Sequence, residues 1–195
     1  MTAVSQPSAA TTRRIPGEQG TWIFLLGDML VFAVFFATFM VERAKAAEVF
    51  DVARKTLHVN IGLVNTLVLL TSSLFVVAAI GAIRTGQRAI AARALLIAAG
   101  CGVVFVALKV TEYVLLAGAG HGPGANHFYL YYFILTGLHL LHVVIGILAL
   151  TLMFTQTRRI ELSATRLAVI EGGGCFWHLV DLLWIVLFPL LYLVS

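Results

Sequence analysis

Five long apolar stretches leave this chain little choice but a membrane-spanning helical fold. Each stretch has the roughly 20 residues that a helix needs to cross a ~30 Å hydrocarbon core. Only 11% of all residues are charged, against about 25% in soluble domains. Backbone polar groups must be paired within lipid, so each stretch is expected to be a helix. The sequence therefore predicts an all-α bundle of five transmembrane helices within one domain, residues 21–195, with spans at about 21–41, 60–83, 94–116, 128–154 and 172–194.

The polar segments predict how this bundle lies in the membrane. Residues 1–20 are polar and rich in small side chains, which indicates a disordered tail. That tail and the connections 84–93 and 155–171 hold eight basic residues, whereas the connections 42–59 and 117–127 hold four. The positive-inside rule therefore predicts a cytoplasmic N-terminus and an external C-terminus. Such short basic loops offer too small a surface for nucleic acid, so we expect no nucleic-acid binding.

Several polar side chains lie inside the predicted spans or directly at their edge and are the candidate functional residues. A charge at the bilayer centre costs roughly 2.5–3.5 kcal/mol on insertion scales. These side chains should therefore face protein, water or one another. They are Asp28, Asn65, Lys109, Glu112, His139, His142, Glu171, His178 and Asp181.

Asp28 and Glu112 are the candidates for handling protons. Asp28 lies alone on a Phe-rich face of the first span, where an isolated carboxyl can take up or release a proton. An inert, protonated hydrogen-bond partner between helices is the alternative. Glu112 shares a helical face with Lys109, three residues earlier, so that the two side chains could pair. Lys109 could equally extend its side chain to the membrane surface.

His139 and His142 share one face of the fourth span. Two histidines at this spacing could bind a metal, and a stand-alone metalloenzyme built on them and His178 is one alternative function. A di-iron bundle would need Glu-x-x-His motifs on two helices, which this sequence lacks. We therefore expect hydrogen bonds between helices, and no metal or cofactor bound by this chain. The sequence also has no CxxCH haem motif, no CxxxC copper pair and no GxGxxG loop.

The last span carries a polar stripe at helical spacing. Glu171, Gly174, His178 and Asp181 form this stripe, and the Asp181 carboxylate is placed to orient the His178 imidazole. The run Gly172–Gly174 would let a neighbouring helix or a lipid head group approach closely. We expect this stripe, with Asn65 and the paired histidines of the fourth span, to make buried contacts to helices or lipid.

Two further residue types receive simpler interpretations. Cys101 and Cys175 lack a CxxC partner and are expected to be buried free thiols that behave as small apolar residues. Tyr132 and Tyr192 lie near span ends, where aromatic side chains commonly form a belt at the membrane surface.

Four segments resemble the motifs of one family, in that family's order. The last-span segment EGGGCFWHLVDLLWIVLFP (171–189) resembles the final helix of haem–copper oxidase subunit III, whose signature is an acidic residue followed by WHxVDxxW. The segments VNTLVLLTSSL (64–74), KVTEYV (109–114) and TGLHLLHVVIGI (136–147) resemble its LNTxxLLxSS, xxxEY and T/S-GxHxxHVxxG motifs. Residues 16–37 are most similar to the short form, such as the E subunit of nitric-oxide reductase clusters. That form has five helices and lacks the two N-terminal helices of the long form.

The resemblance implies an accessory subunit of a cytochrome c oxidase or a nitric-oxide reductase in the bacterial inner membrane. Such a subunit has no redox centre and packs against the catalytic haem–copper subunit I and its companion subunits. That partner would hold the haem and any copper, while this chain would support assembly, retention of structural phospholipid and proton entry. Family members usually carry Glu in place of Asp28 and an uncharged polar residue in place of Lys109. A small proton-coupled transporter that uses the same buried Asp, Glu and His side chains is the alternative, although five spans cannot form two equal inverted repeats.

Overall fold

A computed structural model describes residues 19–158 and 164–194, so that residues 1–18 of the predicted disordered tail lie outside the described part. Within it, five helices are long and apolar enough to cross a membrane, which confirms the predicted all-α, five-span fold. The helices are α1 (Gln19–Lys45), α2 (Ala47–Arg54), α3 (Val59–Arg84), α4 (Arg88–Gly118), α5 (His127–Thr157) and α6 (Ala164–Phe188), which continues into a π-helical segment (Pro189–Leu193).

Two helices begin more than a turn before their predicted bounds. α4 begins at Arg88 rather than at residue 94, and α6 begins at Ala164 rather than at residue 172. The predicted bounds followed apolarity alone, whereas a membrane helix can continue through polar turns outside the hydrocarbon core. With 31 residues, α4 is roughly 46 Å long at 1.5 Å per residue, which is longer than the core is thick.

Turn chemistry accounts for the connections that follow α3 and α4. Gly86 ends α3 with a φ of 77°, and Gly120 follows α4 with a φ of 80°. Both are left-handed conformations that glycine adopts without a Cβ clash. Asn126 then caps α5, because its Oδ1 accepts a hydrogen bond from the Tyr129 backbone at 3.1 Å.

The short helix α2 was not predicted. It occupies the first connection, and its Phe50 packs edge-on against Phe39 of α1 and Phe128 of α5, with ring centroids 5.5 Å apart in both contacts. Eight residues are too few for a helix to be stable alone. This aromatic packing therefore holds α2 against the end of the bundle.

The four helices α3, α4, α5 and α6 pack in a closed ring, and α1 lies outside it against α5 and α6. In the 18-residue apolar stretch of each helix, 61% of α6 is buried, against 17% of α1. Close packing in the ring depends on small residues, as expected where lipid supplies no hydrophobic drive. A Cβ added at Gly146 would lie 2.6 Å from the Trp177 ring, and one at Gly102 would lie 2.9 Å from it.

Candidate functional site

The first polar cluster joins α1 to α5 through Asp28 and His142. The Nε2 of His142 lies 3.0 Å from the Asp28 Oδ1, and its Nδ1 donates to the Leu138 carbonyl at 2.7 Å. Because Nδ1 uses its hydrogen on a carbonyl, the Nε2–Oδ1 bond needs a second hydrogen, carried by an imidazolium or by a carboxylic acid. The expectation that Asp28 stands alone was wrong, because its carboxyl contacts the imidazole of His142 on α5.

The second cluster is an ion pair enclosed within the ring of helices. Lys109 is 1% exposed and Glu112 is fully buried. The Lys109 Nζ lies 2.9 Å from the Glu112 Oε2 and donates to the hydroxyls of Tyr132 at 3.0 Å and Tyr192 at 2.8 Å. Of the two alternatives for Lys109, the structure thus has the pairing with Glu112 and not the extension to the surface.

Tyr192 completes this cluster from the far end of the chain. Its hydroxyl lies 2.7 Å from the Glu112 Oε1 and 2.8 Å from its Oε2. The Lys109 Nζ also lies 4.8 Å from the Tyr132 ring centroid and 5.1 Å from that of Trp184, within cation–π range. The assignment of Tyr132 and Tyr192 to a surface belt was wrong, because their hydroxyls satisfy buried charges. A carboxylate occupied by an ammonium and a phenol is suited to holding helices together.

His139 and Asn65 are fully buried, and their side chains make no hydrogen bond within the described residues, so that the interhelical hydrogen bond expected of His139 is absent there. The His139 ring packs instead against Trp184 and Phe105, at centroid distances of 5.2 and 5.6 Å. The two histidines that share a face in sequence therefore have different environments: His142 pairs with a carboxyl, and His139 packs among aromatic rings.

The polar stripe of α6 faces α3. The Glu171 Oε1 accepts a hydrogen bond from the Arg84 guanidinium at 2.8 Å. Further along, the His178 Nδ1 lies 2.5 Å from the Ser73 Oγ. The Asp181 carboxyl lies beside the same hydroxyl, but its Oδ1 has no hydrogen-bond partner among the described residues. The structure does not form the expected Asp181–His178 bond, because the serine of the neighbouring helix holds the imidazole.

The three glycines of α6 admit three different helices. A Cβ at Gly174 would lie 2.5 Å from the Ile80 Cδ1 of α3. One at Gly173 would lie 2.9 Å from the Met153 sulfur of α5, and one at Gly172 would lie 3.4 Å from the Thr21 Oγ1 of α1. The close approach expected of this run is therefore made by protein on all three sides.

The described residues contain no group of three His, Cys, Asp or Glu side chains that could hold a metal ion. The proposed metal ligands His139, His142 and His178 have the separate surroundings given above. Cys101 and Cys175 are half-buried free thiols. An open cavity of about 510 Å³ lies between α2 and residues 121–126, and none of the predicted site residues lines it.

Comparison with known proteins identifies the family. The family described as Cytochrome c oxidase subunit III matches residues 10–195. The chain belongs to the cytochrome c oxidase subunit III family. This result confirms the resemblance carried by the four sequence motifs.

Three relatives place the chain within this subunit III family. It is 30% identical over 177 residues to cytochrome c oxidase subunit 3 of Thermostichus vulcanus, covering 90% of this chain and 86% of that protein. It is 29% identical over 176 residues to cytochrome bo(3) ubiquinol oxidase subunit 3 of Pseudomonas putida, covering 90% and 84%. A third relative, heme-copper oxidase subunit I+III of Aeropyrum pernix, is 27% identical over 179 residues, which are 89% of this chain but 22% of that longer protein. These three names are all those of oxidases.

The sequence missed the partners that complete these clusters. Ser73, Arg84, Tyr132 and Tyr192 supply hydrogen bonds to the candidate residues from other helices. Serine and tyrosine are common in membrane helices and carry no local signal of such a role. Arg84 and Glu171 carry opposite charges at helix ends that were predicted to lie on the same side of the membrane. This is the one signal that could have identified a partner.

Proposed function

We propose that this chain is the non-redox accessory subunit of a respiratory haem–copper oxidase in a bacterial inner membrane, bound to the catalytic subunit I. Membership of the subunit III family carries this proposal. The relative named subunit I+III supports it, because there one polypeptide carries both names. Haem and any copper belong to the partner in this account, and the present chain contributes a rigid helical body and a proton-holding pair.

The Asp28–His142 pair is the part of this body that handles protons. Its side chains are 12% and 11% exposed, so the pair lies at the edge of the bundle. Because Nδ1 donates to the Leu138 carbonyl, the contact between Nε2 and Oδ1 needs a further hydrogen, which either group can carry. The pair thus supports proton entry to the partner by taking up and releasing one proton. Glu112, which is fully enclosed and paired with Lys109, has a structural role in this proposal.

The orientation of the chain has its N-terminus in the cytoplasm and its C-terminus outside. The basic residues of the first connection oppose this orientation in the sequence, but most are paired within the chain. Lys45 lies 2.7 Å from Glu42, Arg43 lies 3.6 Å from Asp51, and Arg54 donates to the Tyr192 and Leu193 carbonyls. The orientation is supported instead by the eight basic residues of the tail and of the connections 84–93 and 155–171, against four in the first connection.

Structural phospholipid is expected on the outward face of α1. The space beside the glycines of α6 is filled by protein, whereas most of the apolar stretch of α1 is not buried. Retention of lipid there requires only apolar contact along the helix. The lipid role is therefore assigned to α1 rather than to the glycine run.

A nitric-oxide reductase is the second candidate for the parent complex, on the resemblance of residues 16–37 to the short form. The oxidase names of the relatives favour the first candidate. Consumption of oxygen and of nitric oxide by the purified complex separates the two. The proton-coupled transporter is not favoured, because the family is that of an oxidase subunit.

Deletion of this chain in its native host tests the proposal. The catalytic subunit should still contain haem, but less complex should accumulate and its turnover should decline faster during sustained activity. Supplying the chain in trans should restore both. Unchanged abundance and turnover after deletion would contradict an accessory role.

A further inference from the structure

His178 is half-buried and lies near the middle of the Arg166–Leu193 span. The Nδ1 of this half-buried residue is bound to Ser73. The Nε2 makes no hydrogen bond within the described chain, and it is not among the enclosed unpartnered atoms. One imidazole nitrogen near the middle of this span is therefore unpaired within the described chain and not fully enclosed by it.

Exposed apolar side chains lie on α6 and α3 near His178 and Ser73. Leu182 and Ile185, one and two turns further along the same face of α6, are 47% and 44% exposed. On the adjacent α3, Leu74 and Val77 flank Ser73 and are 67% and 55% exposed. The surface is thus a strip of aliphatic side chains on either side of the His178–Ser73 contact.

Four outward threonines of the spans are satisfied by their own helices. The hydroxyls of Thr38, Thr71, Thr111 and Thr151 each donate to the carbonyl four residues earlier, at 2.8–3.0 Å. These threonines can face lipid at little cost. The His178 Nε2 has no such bond, and lipid tails cannot supply one.

We propose that this strip, formed by α6 around His178 and by α3 around Ser73, is the docking face for the catalytic subunit. A transmembrane helix of that subunit supplies a side chain that forms a hydrogen bond with the His178 Nε2. The inference rests on the proposed function, which names the partner. The inference adds to that function the α3–α6 docking face and the hydrogen bond to the His178 Nε2. It also assigns the apolar outward face of α5 to lipid.

The chemistry of the strip favours a protein helix over the other occupants. Hydrogen bonds between membrane helices are worth about 0.6 and at most about 1.7 kcal/mol, and apolar side chains on both sides allow a helix to pack along the strip. Phospholipid tails fill apolar surface but leave the nitrogen unpaired. A second copy of this chain could pair two imidazoles, so the experiment below includes that outcome.

Site-specific photo-crosslinking in native membranes tests the docking face. A photoreactive residue is placed at Leu182 on the strip and, as a matched control, at Leu148, which is 59% exposed on α5. The Leu182 position should give a covalent adduct with the haem-bearing subunit, and the Leu148 position should give none. An adduct from Leu148 but not from Leu182, or an adduct of Leu182 with a second copy of this chain, would overturn the inference.

Substitution of His178 tests the hydrogen bond itself. His178→Leu should lower the amount of haem-bearing subunit recovered per copy of this chain by about three- to twentyfold. Thr111→Val, at an outward position whose hydroxyl bonds to its own helix, should leave the recovery unchanged. Normalising to this chain removes any effect of the variant on its own folding. Equal recovery with both variants would overturn the inference.

These outcomes distinguish the docking face from the proposed function. Recovery of the haem-bearing subunit with the unaltered chain, together with crosslinking through α5 alone, rejects the face and leaves the proposed function standing. Failure to recover any haem-bearing subunit with the unaltered chain rejects both.

Discussion

The Nε2 nitrogen of His142 lies 3.0 Å from the Oδ1 oxygen of Asp28 and joins helices whose contacting residues are 114 positions apart. The other ring nitrogen of His142 is committed to the Leu138 carbonyl. The hydrogen bonds of both ring nitrogens therefore require a second hydrogen at the Nε2–Oδ1 contact, carried by the imidazole or by the carboxyl. This contact is also one of the few that hold α1 against the ring of four helices.

Asp28→Asn should assemble normally but lower turnover of the parent complex, most visibly at high pH, where proton supply limits the rate. The asparagine amide can still donate to the His142 Nε2, while the titratable proton is lost. Subunit content and turnover are measured together across pH. Asp28→Ala serves as the comparison, because it also removes the hydrogen bond and should weaken assembly. A wild-type pH profile for Asp28→Asn would reduce this pair to a packing contact.

Glu112→Gln and Lys109→Met should each destabilise the chain strongly, because each leaves the other charge buried without its partner. Breaking a buried ion pair from one side costs about 3–5 kcal/mol. The double variant should be less destabilised than the sum of the two single variants, since it leaves no unpaired charge. The free energy of unfolding in detergent, measured as a double-mutant cycle, provides the test. Additive effects would mean that the two charges do not interact.

The Asp28–His142 and Lys109–Glu112 pairs also show which parts of the molecule could be predicted from the sequence. Each transmembrane helix is a local property, because some 20 apolar residues suffice to specify it. The Lys109–Glu112 pairing could be predicted as one alternative for the same reason, because residues three positions apart on a helix share a face. The contact of Lys109 with Tyr192, 83 residues away, depends on how α6 packs. Nothing in either segment alone specifies it.

The same limit applies to the histidines and to α2. His139 and His142 look equivalent in the sequence, but the packing of α1 and α6 gives one a carboxyl and the other an indole. Asp181 is three residues from His178, yet Ser73 of another helix is the bonded partner. The short helix α2 depends on Phe50 meeting rings from α1 and α5.

Gly146→Ala should destabilise the bundle by about 1–3 kcal/mol, the usual cost of overpacking a core. The added methyl would lie 2.6 Å from the Trp177 Cε3, a fully buried side chain. Gly137→Ala in the same helix is the control, because a Cβ there meets nothing within 4 Å. Unfolding in detergent is measured for both variants. Equal stability of the two would show that Trp177 can shift without cost.

Reporter fusions should place the C-terminus outside the cytoplasm. A reporter fused after Ser195 should be active only outside, and one inserted at residue 86, between α3 and α4, should be active only inside. This result is expected from the basic residues of the tail and of the connections on that side. The reverse pattern would overturn the orientation.

Affinity purification of this chain from its native membranes, followed by visible spectroscopy and elemental analysis, tests the central claim most directly. The account predicts that a haem-bearing catalytic subunit co-purifies in a fixed ratio. It also predicts that the chain, once separated from that subunit, carries no haem, copper or iron. A chain that purifies alone, or that retains a stoichiometric redox metal after separation, would contradict the account.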